Sequence, residues 1–227
     1  MEVYDAQGNV TLSDKAPSMK LTDSGSVSPT GSSGDTGFYR YDVTVTIPGS
    51  NKPFLFCVKS DYDAIALWEI SDYYSSGTAP IQATISFAST DGGSKDYRLY
   101  TSFDFQSYST TTDFGLKLFD SGGNISYDSR VPEAILEEKL DIPDVNGTLT
   151  HKAISEPWYA INMFPTDFRI IPLSGGNSVL QVRGLGQSSP NQTYVGYFPL
   201  VFLPFSTTQA SNPYEGVVPI VTSLGLD

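Results

Sequence analysis

Val3-Tyr4-Asp5-Ala6-Gln7-Gly8-Asn9-Val10-Thr11-Leu12-Ser13-Asp14-Lys15-Ala16-Pro17 returns, without a gap, as Leu118-Phe119-Asp120-Ser121-Gly122-Gly123-Asn124-Ile125-Ser126-Tyr127-Asp128-Ser129-Arg130-Val131-Pro132. Asp5, Gly8-Asn9 and Pro17 recur as Asp120, Gly123-Asn124 and Pro132. Val3/Leu118, Tyr4/Phe119, Val10/Ile125, Thr11/Ser126 and Lys15/Arg130 exchange like for like. Each copy reads as a short aromatic strand, an Asp-x-x-Gly-Asn turn and a second strand, which together make a β-hairpin. A repeat seen once, at about half the chain length, implies two related modules rather than a solenoid of many short ones. The expected architecture is all-β: two tandem related β-sandwich-like domains, 1–113 and 114–227, each opening with the hairpin.

Beyond the hairpins, alternation dominates. In Phe38 to Ile47, Tyr39, Tyr41, Val43, Val45 and Ile47 share one face, and Arg40, Asp42, Thr44 and Thr46 share the other. That is a half-buried antiparallel strand. Phe54 to Lys59, Ile81 to Phe87 and Tyr97 to Phe105 continue the first module, while Ala64 to Ile70 fits either a strand or a short helix. In the second module Trp158 to Met163, Phe168 to Ile171, Ser178 to Arg183, Thr193 to Leu203 and Val217 to Thr222 read as strands. Prolines 172, 190, 199, 204, 213 and 219 punctuate them, which suits edges and bulges. One short helix is expected at Glu133 to Leu140, after Pro132, with Ile135, Leu136 and Leu140 as its apolar stripe. The Ser/Gly-rich stretch Thr22 to Gly37 reads as a flexible loop, and Gly216 to Leu226 as an unusually apolar tail. At least one of these two segments is expected to need a partner chain to order it.

Composition narrows the function. Twenty-five acids against 13 bases give a net charge of −12, which repels phosphate backbones and anionic membranes. No nucleic-acid partner is expected. No apolar run reaches membrane-spanning length, so no membrane insertion is expected either. Met1 to Asp5 is acidic where a secretion signal would be basic, and Cys57 is the lone cysteine. Both point to synthesis and folding in a reducing cytoplasm. His151 is the lone histidine, in a polar stretch that reads as exposed loop, and no Ser or Cys signature surrounds it. Zinc would need more Cys and His than the chain has.

Two carboxylate pairs, Asp61/Asp63 on one side of an extended segment and Asp141/Asp144 at a turn, are of the kind that could hold Ca²⁺ or, paired across a groove, hydrolyse a glycoside. Acids at turns more commonly serve as caps and solvated corners, and no EF-hand spacing is present. The expectation is no catalytic residue, no metal and no cofactor. Aromatic clusters at Tyr73, Tyr74, Tyr97, Tyr100 and Tyr108, and at Trp158 and Tyr159, are candidate contacts for a glycan or a protein partner.

The run Phe114-Gly115-Leu116-Lys117-Leu118-Phe119-Asp120-Ser121-Gly122-Gly123-Asn124-Ile125-Ser126-Tyr127-Asp128-Ser129-Arg130 resembles the opening of small proteins encoded among tailed-bacteriophage virion genes. Those open on an apolar strand beginning Tyr-Gly, followed by an aromatic residue, Asn or Asp, and a Gly turn. The resemblance covers the two hairpins; in the first, Ser13-Asp14 replaces Asp128-Ser129. It implies a structural virion component at the tail tip or baseplate, contacting other virion proteins and copies of itself. A receptor- or carbohydrate-binding adhesin module, touching a host surface glycan, is the alternative. The family brings no catalytic residues.

Overall fold

The computed structural model describes residues 2–4, 10–13, 19–33, 37–47, 53–60, 62–71, 81–102, 115–119, 121–123, 125–130, 134–142, 146–154, 156–163, 168–173, 175–203, 210–211 and 216–223. The first half holds β1 (Glu2–Tyr4), β2 (Val10–Ser13), β3 (Met19–Val27), β4 (Gly31–Ser33), β5 (Phe38–Ile47), β6 (Phe54–Lys59), β7 (Ile65–Ser71), β8 (Ile81–Ser89) and β9 (Lys95–Ser102). The second holds β10 (Lys117–Phe119), β11 (Ile125–Asp128), β12 (Ala134–Ile142), β13 (Gly147–Thr150), β14 (Trp158–Ala160), β15 (Phe168–Pro172), β16 (Ser178–Ser189), β17 (Gln192–Leu203), β18 (Ala210–Ser211) and β19 (Gly216–Ser223). A 3-10 turn, Ile161–Met163, follows β14. The all-β class expected from the alternation is what the chain adopts.

Both hairpins form, and they match residue for residue. Val3 faces Leu12 and Tyr4 faces Val10, with a bulge between them. Leu118 faces Tyr127 and Phe119 faces Ile125, with the bulge in the same place. The correspondence then runs on past the legible repeat. β3 pairs with β9 from Met19–Ser102 to Val27–Lys95, bulging between Leu21 and Asp23. β12 pairs with β19 from Ala134–Ser223 to Ile142–Gly216, bulging between Leu136 and Glu138. In the other layer β7 pairs with β8 and β16 with β17, each with a bulge at the matched position, Leu67/Glu69 and Gln187/Ser189. β5 flanks β8 as β13 flanks β17. A bulge is a local irregularity with no reason to recur by chance at the same register. The two halves thus repeat one three-plus-three-stranded pairing pattern.

The copies join edge to edge. One sheet runs β12-β19-β14-β6-β9-β3 and the other β13-β17-β16-β7-β8-β5-β4, with β15 added beside β16 and β18 beside β15. At the seam of the first sheet Cys57 faces Ala160; at the seam of the second Ile65 faces Leu185. Following the matched registers, Cys57 corresponds to Ala160 and Ile65 to Leu185. Each seam pair therefore maps onto itself, and an approximate two-fold axis passes through both. The main core lies between the sheets and draws on both copies: Tyr41, Phe56, Ile65 and Phe87 with Leu140, Tyr159, Ile161 and Leu185. A second cluster, Cys57, Tyr100, Trp158 and Ala160, sits on the axis at the far face of the first sheet. Met19 and Ala134, the residues that open β3 and β12, both pack on it. The segments following the two hairpins thus converge there.

Two expectations are corrected, the helix at 133–140 and the flexible loop at 22–37. Residues 134–142 form strand β12, not a helix, pairing with β19 throughout. The bulge after Leu136 adds one residue, so Ile135, Leu136 and Leu140 acquire helix-like spacing while Leu140 and Ile142 keep the period of a strand. The described residues of Thr22 to Gly37 are held by their own chain: β3 continues to Val27, Thr30 N–H donates to Arg40 O at 2.8 Å, and β4 pairs with β5. The apolar tail forms the strand expected over Val217 to Thr222, as β19 between β12 and β14. The 113/114 boundary itself lies outside the described residues, and both sheets and the main core continue from one copy into the other.

Candidate functional site

The seam between β7 and β16 is closed by glycines. A Cβ on Gly186 would run into the carbonyl oxygen of Asp63, and one on Gly184 would stand 2.8 Å from that of Ile65. Only a residue without a side chain lets the backbones approach this closely. Beside Gly186 the surface opens into a cleft of about 290 Å³ lined by Tyr62, Asp63, Ala64, Thr90, Gln187, Ser188, Tyr194 and Phe198.

Its floor is an ordered polar cluster. Asp63 is buried, accepts from the hydroxyls of Ser60 and Ser89, and pairs with Lys95 Nζ at 2.9 Å. Lys95, equally buried, also reaches Asp91 at 2.8 Å. Burial opposes charge on Lys95, but its hydrogen bonds to Asp91 and Asp63 prevail and hold the ammonium above its ordinary 10.5. The Lys95 hydrogen bond and the Gly93 N–H hold Asp91 below 3.8. Tyr41 donates to the Asp91 and Gly93 carbonyls, and burial pushes its hydroxyl up to about 12. The cluster ties the copies together, because Ser60 Oγ accepts the backbone N–H of Gln187 at 3.1 Å.

Above that floor the rim is aromatic. Tyr62 is 64% exposed and its φ is 63°. A bulky side chain in the left-handed region costs conformational energy, and such strain gathers at binding sites. Tyr194, 37% exposed, lies against Gly196: a Cβ there would stand 2.5 Å from the tyrosine hydroxyl. Phe198 meets the Tyr194 ring edge-on at 5.9 Å and fixes it from behind.

The residues singled out in the sequence fall elsewhere. Tyr73, Tyr74, Tyr108, Asp61 and Asp144 lie outside the described residues. Tyr100 and Tyr159 are fully buried, and Trp158 is covered by the Arg98 guanidinium at 3.9 Å. Tyr97 is half-buried, stacked on Phe56 with 5.6 Å between ring centres. These rings are engaged in the chain's own packing, and the structure does not gather them into one surface. Asp141 is exposed beside Lys139 at 3.7 Å. Among the described residues no group of three or more His, Cys, Asp and Glu has metal-binding geometry. Cys57 is buried on the two-fold axis, and burial pushes its thiol up.

His151 is a correction: it is buried rather than exposed. Its Nδ1 faces the Lys152 carbonyl at 2.6 Å, which can only accept, so Nδ1 carries the proton. Nε2 meets Thr193 Oγ1 at 3.0 Å, and that hydroxyl meets Tyr159 Oη at 2.7 Å. The ring is clamped on both nitrogens as a structural link.

The cleft was missed because Tyr62, Gln187 and Tyr194 are brought together only by the seam. The Gly-x-Gly spacing at 184–186, inside a strand, was the local signal for a close backbone approach. Among the described residues no helix is long and apolar enough to cross a membrane. Comparison of the chain with protein-family models, with characterised proteins and with solved structures finds no match.

Proposed function

We propose that this chain is a structural component of a tailed-phage virion, at the tail tip or baseplate, acting through contacts with other virion proteins and with copies of itself. The observation that carries the reading is the duplicated hairpin. Its sequence resembles the opening of small virion proteins, and both copies adopt one register with one bulge. The second hairpin is locked by Asp128, which pairs with Arg130 and lies 3.8 Å from Lys117. It leaves Leu116 and Phe119 more than half exposed, which suits contact with a neighbour. The acidic charge favours solubility at high local concentration. On this reading the protein resides in the virion after synthesis in the host cytoplasm, and it is not an enzyme.

Cryo-electron microscopy of the intact particle tests this. Density for the two-sheet unit at the tail tip or baseplate, with the hairpins against other proteins, is the expected result. A particle without the protein overturns it. A second reading, a receptor- or carbohydrate-binding module, is favoured by the open cleft under Tyr194.

A further inference from the structure

We propose that the cleft at the β7–β16 seam is a binding site for a neutral saccharide, with Tyr194 as the stacking platform and Tyr62 as the facing wall. This rests on the second reading above and gives it residues and a ligand class.

The approximate two-fold axis gives each position in one copy a partner in the other, so the cleft has a counterpart. Following the matched registers, Ala66, Trp68 and Ala88 stand where Gly186, Ser188 and Tyr194 stand. The counterpart is filled: Phe38, Ala66, Ala88 and Val182 are buried there in a cluster with Trp68, Leu180 and Phe198 against them. Trp68 comes from the bulge of β7, and Ser188 from the matching bulge of β16. Where the first copy uses an indole to close the surface, the second uses a hydroxymethyl group and leaves it open. The ring that would lie above an occupant, Tyr194, stands in place of an alanine. One backbone therefore yields a packed patch on one side of the axis and an open aromatic cleft on the other.

The chemistry of the lining selects the ligand class. A sugar ring offers a C–H face to an aromatic ring and hydroxyls to polar neighbours. Tyr194 presents such a face, because Gly196 lets it lie flat on the sheet. Thr90, Gln187 and Ser188 supply oxygen and nitrogen around it. Lys95 is already shared between Asp63 and Asp91, so the floor offers no positive group to an anionic ligand. A net charge of −12 turns away phosphorylated and other strongly anionic ligands. A volume of about 290 Å³ belongs to the small end of ligand sites.

The test uses the full-length chain on an array of neutral glycans and proline-rich peptides, followed by calorimetric titration of the best glycan. Binding of a neutral glycan is expected. Tyr194→Ala should weaken it about tenfold, the loss of one stacking contact. Ser188→Trp, which copies Trp68 into the open position, should abolish binding with the thermal midpoint unchanged. If that variant melts early, Tyr194→Ala carries the test. No glycan bound, a peptide bound instead, or glycan binding that survives both substitutions in folded protein would each overturn the proposal. None of these outcomes touches the location of the protein in a particle, so the virion reading stands or falls separately.

Discussion

The two copies pair their strands in the same register, bulge for bulge, yet fill equivalent positions with unlike chemistry. Lys95 and Ser89 of the first correspond to Gly216 and Val195 of the second, so the buried polar cluster has no equivalent there. Part of the inner face is apolar in both copies: Phe56 matches Tyr159, and Ile65 matches Leu185, all within the main core, whereas Phe87 and Leu67 match the buried polar Thr193 and Gln187. Register is set by backbone pairing and by which face is buried. Once those are kept, side chains are free to diverge, at edges, bulges and outer faces and at individual buried positions such as Ser89 and Val195. The difference between the copies thus separates what holds the fold from what was added to it.

Removing Lys95 should have the largest effect, because nothing in the second copy needs such a group. Lys95→Met leaves the buried Asp63 carboxylate without its cation and should cost about 3–5 kcal/mol in denaturant unfolding. The penalty should also depend on pH. Lys95 titrates above its unfolded value of 10.5, so its contribution is complete below 10.5 and disappears as pH rises through the raised value. Asp91 titrates below 3.8, so its share is complete above 3.8 and is lost as pH falls through the lowered value. The stability difference between wild type and Lys95→Met should be flat between those limits and narrow outside them. A difference that changed steadily through neutrality would show that the cluster is not the cause.

Next comes the seam. Gly186→Ala drives a methyl group into the Asp63 carbonyl and should destabilise by about 3 kcal/mol. Its counterpart Ala66→Gly should cost only about 1 kcal/mol. Equal penalties at the two sites would mean that the copies meet less asymmetrically than described. Trp68→Ser should open the filled counterpart of the cleft at a cost of about 2–3 kcal/mol, since the indole is only partly buried. A cavity visible there in the variant's crystal structure would establish the equivalence of Trp68 and Ser188 directly.

The smallest effect belongs to the hairpins. The Arg130 hydrogen bond holds the Asp128 carboxyl below 3.8, so its contribution is present above 3.8 and fades as pH drops through the lowered value. The first hairpin has Ser13 at that position. Protection against amide exchange, corrected for the intrinsic rate at each pH, should therefore fall in β10–β11 on acidification and stay constant in β1–β2. A parallel fall in both would remove Asp128 as the lock.

How much of this was legible depends on distance along the chain. The hairpins, and the alternation of Tyr41, Val43, Val45 and Ile47, are local patterns, and the structure reproduces them. The sequence of β12 mimics a helix because a bulge rewrites the spacing of Ile135, Leu136 and Leu140, and a bulge is fixed by the partner strand. The described residues of Thr22 to Gly37 read as a loop because small polar residues serve a loop and an edge strand alike, and here their hydrogen bonds go to β9 and β5. Past Pro17 and Pro132 the copies share no legible sequence, so the two-fold relation shows only in the registers. The cleft is invisible for the same reason: Tyr62 and Tyr194 line it from opposite sides of a seam that no local pattern announces.

The two copies join about an axis on which Cys57 faces Ala160. Because Cys57 is the lone cysteine, Ala160→Cys makes a direct probe. Directly opposed residues in an antiparallel pair have Cα atoms about 4.5–5.5 Å apart, within the reach of a disulfide. Refolding the variant under oxidising conditions should give a monomer with one intrachain disulfide between Cys57 and the thiol introduced at position 160. It should show no titratable thiol in denaturant and a single cross-linked peptide by mass spectrometry. Two free thiols, or a disulfide only between chains, would contradict the account.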